Sequence, residues 1–110
     1  MKPIIFSLFL LLSAASYTQI SGDIITDGRK IETGIEYTMK GTKAGIMVFS
    51  ISVNMDGKVT ACTLVKEEST IISTPSMMKA KNRILTGLTF EKGYHFPEFH
   101  EGKVTIEFIL

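Results

Sequence analysis

The residues best equipped for chemistry lie together near the C-terminus. In Tyr94-His95-Phe96-Pro97-Glu98-Phe99-His100-Glu101, both histidines of the chain stand beside two carboxylates. Imidazoles and carboxylates are metal ligands, so His95, Glu98 and His100 form a candidate metal-binding set. A zinc site, however, takes about four ligands, usually a close pair plus a distant pair. Here the histidines straddle Pro97, and no distant Cys/His pair completes the shell. A polar loop between a helix and a strand, with Phe96 and Phe99 tucked against a sheet, accounts for the same residues. That loop is the leading expectation, no cofactor is expected, and a small secreted metal-binding protein is the alternative.

Nucleophilic chemistry finds less support. No Gly-x-Ser-x-Gly elbow is present, and Ser69, Ser73 and Ser76 sit where turn and cap chemistry accounts for them. Lys66-Glu67-Glu68 and Lys79, Lys81 and Arg83 have the pattern of solvated faces, and no glycine-rich loop precedes a helix as phosphate binding requires. Cys62 is the only cysteine, so it forms no internal disulfide, and within a strand it is expected to be a small buried apolar residue. These features argue for a protein that is not an enzyme.

The elements that must position these residues are legible in the second half of the chain. Between Gly45 and Val53, Met47, Phe49, Ile51 and Val53 share one parity, the period-2 signature of a strand with one better-buried face. Asp56-Gly57 marks a tight reversal, because glycine takes the positive φ that the turn needs. Lys58 to Lys66 alternates less cleanly and forms a paired strand. At Thr74-Pro75 a helix begins, with Thr74 as its cap and proline at the first helical position. Met77, Met78, Ala80, Ile84, Leu85 and Leu88 recur at helical spacing and turn one stripe to the core, while Gly87 lies near the helix's end. The last run, Val104 to Leu110, alternates again. The expected fold is α+β: a small antiparallel sheet of ββαβ order with one helix on one face. Its core is expected to hold Phe49, Ile51, Leu85, Leu88, Ile106 and Phe108.

Met1-Lys2, the apolar run Ile4 to Leu12 and the small residues Ser13 to Ser16 have the layout of a secretory signal peptide. Residues 1–18 are therefore expected to be removed, with the mature protein in a periplasmic or extracellular compartment. The apolar run is about half the length of a membrane span, so no span is expected after removal. Residues 19–43 form a short segment, with a small hairpin turning at Asp27-Gly28 because isoleucines flank it. Residues 44–110 form the main domain. A formal net charge of +1, from 12 basic and 11 acidic residues, favours neither nucleic acid nor an anionic membrane surface.

Taken together, Gly45-Ile-Met-Val-Phe-Ser-Ile-Ser-Val-Asn-Met-Asp-Gly-Lys-Val59, Met78-Lys-Ala-Lys, Leu88-Thr-Phe90, Pro97-Glu-Phe and the strand opening at Gly102 resemble the C-terminal domain of the TonB family, in the form seen in Bacteroidetes proteins. The chain departs from that family in lacking a proline-rich spacer, a Tyr-Pro motif before the first strand, and a proline after Phe90, where Glu91-Lys92 stands instead. The resemblance implies a protein-interaction module whose terminal strand, Lys103, Val104, Thr105, Ile106, Glu107 and Phe108, accepts an extended peptide by strand addition. The implied partner is an outer-membrane receptor segment or another TonB-like domain, and a homodimer is equally allowed. A three-stranded sheet leaves an edge with unpaired amides and carbonyls, which suits the same reading.

Overall fold

A computed structural model describes residues 19–110, so the expected signal peptide lies outside the described residues. The elements run β1 (Ile20–Ser21), α1 (Asp23–Thr26), β2 (Ile31–Thr33), β3 (Thr38–Lys40), β4 (Gly45–Val53), β5 (Val59–Leu64), a 3-10 turn (Lys66–Glu68), α2 (Thr74–Gly87), β6 (Thr89–Phe90) and β7 (His100–Ile109). The chain is a small α+β domain with mostly antiparallel strands and one main helix. It carries more elements than two strands, a helix and a strand, because residues 19–43 contribute strands of their own.

The main sheet is ordered β1-β7-β4-β5, with β3 joining β7 in parallel beyond β1. β4 and β7 form its longest ladder, from Gly45↔Phe108 to Val53↔His100. This register puts Met47, Phe49, Ile51 and Val53 on the same face as Val104, Ile106 and Phe108, and all seven are buried. Each expected parity holds, because a slip of one residue would turn every one of these side chains to solvent.

On β5 the pattern changes partway along. Cys62 and Leu64 pair with Ile51 and Phe49 and so share the core face, yet Val59, of the opposite parity, is also buried. The reason is a bulge between Ser52 and Val53 that brings Val59 opposite Val53. At the β4–β5 turn Gly57 has φ 85°, and the main chain of Phe90 lies where a Cβ would project. Phe90 N–H donates to Gly57 C=O at 2.7 Å, so glycine serves both the turn and the docking of β6.

α2 lies closest to β5 and buries Ala80 and Ile84, followed by Leu88 just beyond its end. Its first residue is Thr74, with Ser73 flanking it, so the cap is one residue earlier than expected. Neither supplies a side-chain cap bond, in keeping with Pro75, which removes one of the early amides a cap would serve. Met78 and Leu85 are exposed, which corrects the expected core. Each stands one residue beyond the stripe of Met77, Ala80, Ile84 and Leu88, about 100° round the helix from the residue before it.

Residues 23–32 do not form a hairpin. They make the single helical turn α1, closed by Gly28 at φ 75°, with Gly28 N–H donating to Ile25 C=O and Arg29 N–H to Ile24 C=O. The positive φ expected of Asp27-Gly28 is used to end a helix instead of reversing a strand.

Candidate functional site

The six residues of the implied binding strand, Lys103 to Phe108, stand inside the sheet and not at its edge. β4 pairs with β7 along one side, while on the other β1 pairs Ile20↔Val104 and Ser21↔Lys103, and β3 pairs Thr38↔Glu107, Met39↔Phe108 and Lys40↔Ile109. Between these two strands the amides remain engaged: Thr105 N–H donates to Gln19 C=O and Glu107 N–H to Tyr37 C=O, both at 2.8 Å. Residues 19–43 thus occupy the position that an incoming strand would take. Ile20, Ile24 and Met39 are buried in the core, so the closing segment is anchored by side chains as well as main chain. Gly102 makes the fit possible, since a Cβ there would meet Ser21 O and Ile24 Cδ1, each at 2.9 Å.

A buried polar brace fastens the same segment to the far end of β7. Arg29, only 3% exposed, donates from Nε to Glu91 C=O at 2.8 Å and from Nη2 to Asn54 C=O at 2.8 Å. Its guanidinium carbon lies 4.3 Å from the ring centroid of Phe96. Nη1 stands 3.2 Å from Nδ1 of His100, and His100 Nε2 stands 2.8 Å from Asp27 Oδ2. Because arginine only donates, Nδ1 accepts and the ring hydrogen resides on Nε2, which donates to the carboxylate. Burial lowers the Arg29 pKa from its ordinary value, and the Glu91 carboxylate opposes that shift. An aspartate–histidine pair can serve acid–base chemistry, but here the imidazole is the buried member, at 2% exposure, with both nitrogens engaged. The arrangement ties the loops around Asp27, Asn54 and Glu91 to the start of β7.

The candidate metal set is accordingly not brought together. His100 turns inward to Asp27 and Arg29, whereas His95 and Glu98 are exposed. His95 and His100 lie against the ring of Phe96, with centroids 4.0 and 5.6 Å away. Among the described residues no group of three or more His, Cys, Asp or Glu is placed to hold a metal ion. Phe96 is buried as expected, but Phe99 is largely exposed, because the brace holds the loop at Phe96 and leaves the turn Pro97 to Phe99 outside.

The outer strand of the opposite flank is β5, with Cys62 at its middle buried. Val65 N–H donates to Val48 C=O at 2.7 Å, which sets the alternation of the β4–β5 ladder. Thr63 and Ala61 then bond toward β4, while Cys62 and Leu64 direct their N–H and C=O groups away from it. Beyond β4, the only strand among the described residues that touches β5's run is β6, through a bridge at Lys58↔Thr89 that ends where β5 begins. Cys62 itself is not a reactive handle, because burial pushes its thiol up to about 11, although Lys81 pulls the other way. The sequence reading recognised β5 as a paired strand but not as the outer one. Its signal was the uncharged run Val59 to Leu64, and nothing local to that run says which neighbour is missing.

No family model, no curated protein and no solved structure matches this chain. Among the described residues no helix is long and apolar enough to cross a membrane.

Proposed function

We propose that this chain is an exported, non-enzymatic protein-interaction module that takes up an extended segment of a partner by strand addition, and that it does so at β5 instead of β7. One observation carries the reading: β5 is the outer strand of its flank, and half-buried Leu64 directs its main-chain donor and acceptor away from β4 with no strand beside it among the described residues, while neighbouring Cys62 is buried. Such an edge is a template for pairing, and natural edges are normally blunted by charge, proline or a bulge. From Val59 to Leu64 there is no charged residue and no proline, and the β4–β5 bulge lies at the strand's beginning. The run β4, β5, α2 and β7, with β6 inserted, supports the resemblance to the ββαβ TonB C-terminal domain. In that setting the compartment is periplasmic or extracellular, and the partner is an extended segment such as an outer-membrane receptor supplies, in the service of transport.

The test is amide hydrogen exchange on the mature protein, alone and after capture of a partner from an envelope extract. Strand addition at β5 slows the amides of Cys62 and Leu64 and leaves Thr105 and Glu107 as they were. Capture that slows β7 amides instead, or that leaves β5 unchanged, contradicts the reading.

A further inference from the structure

Where β5 begins, the strands continue outward. The bridge Lys58↔Thr89 joins β6 to the start of β5, and β2 pairs with β6 on its far side, so β2 is the outermost strand of that corner. Lys30, Ile31, Glu32 and Thr33 are all exposed, Ile31 at 42%. The direction of this edge follows from the bonds around it. Glu91 N–H donates to Lys30 C=O at 2.9 Å and Lys30 N–H to Glu91 Oε1 at 3.1 Å, while Phe90 N–H turns the other way, to Gly57 C=O at 2.7 Å. The main chain of Lys30 thus faces β6, and in an antiparallel ladder that of the next residue faces away. The N–H and C=O of Ile31 point outward, with no strand beside them among the described residues. A bulge between Ile31 and Thr33 confines the regular part of the edge to residues 30–32.

That window is complementary to itself. We infer that β2 is the contact of a symmetric dimer, in which two copies pair antiparallel about a two-fold axis at Ile31. In this register Ile31 of each copy exchanges both main-chain bonds with Ile31 of the other, and Lys30 of each stands directly opposite Glu32 of the other. Opposite charges across a ladder attract, and the symmetry forms both pairs at once. An axis at Lys30 or at Glu32 would instead set like charges against each other. A cleft of about 350 Å³ beside the strand is lined by Lys30, Ile31, Glu32, Glu91 and Lys92, so the other charges there are one of each sign. Charged residues on a short edge ordinarily keep other chains from pairing; here the same two residues admit a copy of this one. The inference does not depend on what β5 binds. A three-residue contact is far smaller than a standard interface, so the dimer is expected to be weak and concentration-dependent.

Sedimentation equilibrium and amide exchange on the mature protein, at low salt and from micromolar to millimolar concentration, test it. Exchange of the Ile31 amide is expected to slow as the dimer forms, while Thr105 and Glu107 stay as they were. Lys30→Glu and Glu32→Lys, both at exposed positions, each turn two attractions into two repulsions and should weaken association about tenfold. Mixed together, the two variants should associate about as tightly as the unaltered chain, because every charge again meets its opposite. A monomer at every concentration, association that neither variant weakens, or variants that do not recover it on mixing would overturn the inference. Slowing at Cys62 and Leu64 in place of Ile31 would move the second copy to β5 and overturn it as well.

Discussion

The two flanks of the sheet are built from strands of similar character, yet among the described residues one is closed by further strands and the other is not. β7 is flanked on its outer side by Gln19–Ser21 and Tyr37–Lys40, with Ile20, Ile24 and Met39 packed into the core behind them. β5 has β4 on one side and, beyond its first residues, no strand on the other among the described residues. The difference does not come from the strands themselves. It comes from a segment that carries glycines at Gly22 and Gly28, a buried arginine and a few isoleucines, placed upstream of everything it closes. Availability of an edge is therefore a property of the whole chain, and a strand's own residues set only what it would bind.

The closed flank should be the costlier one to disturb. Phe108 is 1% exposed and pairs with Met39, so Phe108→Ala is expected to cost about 3 to 5 kcal/mol in chemical denaturation; a loss under about 1 kcal/mol would mean that this side of the core is loosely packed. Arg29→Ala removes the brace and strands the carbonyls of Glu91 and Asn54 together with His100. It should cost about 1 to 3 kcal/mol for each buried group left without a partner, and raise exchange at Thr105 as β1 loosens. Unchanged exchange at Thr105 would uncouple the brace from closure.

On the open flank the effects are smaller. Cys62 has a thiol raised from 9.0 to about 11 by burial, so the folded state keeps the proton that the unfolded chain loses. Its contribution is fully present below about pH 9 and is lost as pH rises toward 11, and Cys62→Ser should flatten that part of the stability–pH curve. A curve unaltered by the substitution would show that the thiol is freely solvated. Leu85→Ala, at a side chain 38% exposed, should change stability by less than about 1 kcal/mol, and a larger loss would restore Leu85 to the core.

The second half of the fold was legible because its signals are local. The alternation of Met47 to Val53, the Asp56-Gly57 reversal and the helical recurrence of Met77, Ala80, Ile84 and Leu88 each report on neighbours in sequence. What the sequence concealed is long-range. Gly28 supplies the same positive φ whether it reverses a hairpin or ends α1, and only the docking of Ile24 against Gly102 decides between them. In the same way, His100 is a plausible ligand by residue type, but its nitrogens are claimed by Asp27 and Arg29, about seventy residues away in sequence. The closure of β7 was hidden for one reason: it depends on pairings between residues 19–41 and the C-terminus, which no periodicity records.

The contrast between the flanks is tested most directly by amide exchange in the free, dilute protein. The account predicts that Cys62 and Leu64 exchange on the order of a hundred-fold faster than Thr105 and Glu107, since the former pair face outward and the latter donate to Gln19 and Tyr37. Equal protection of all four, or slower exchange at Cys62 and Leu64, would mean that β5 is closed, and would contradict the assignment of the open edge.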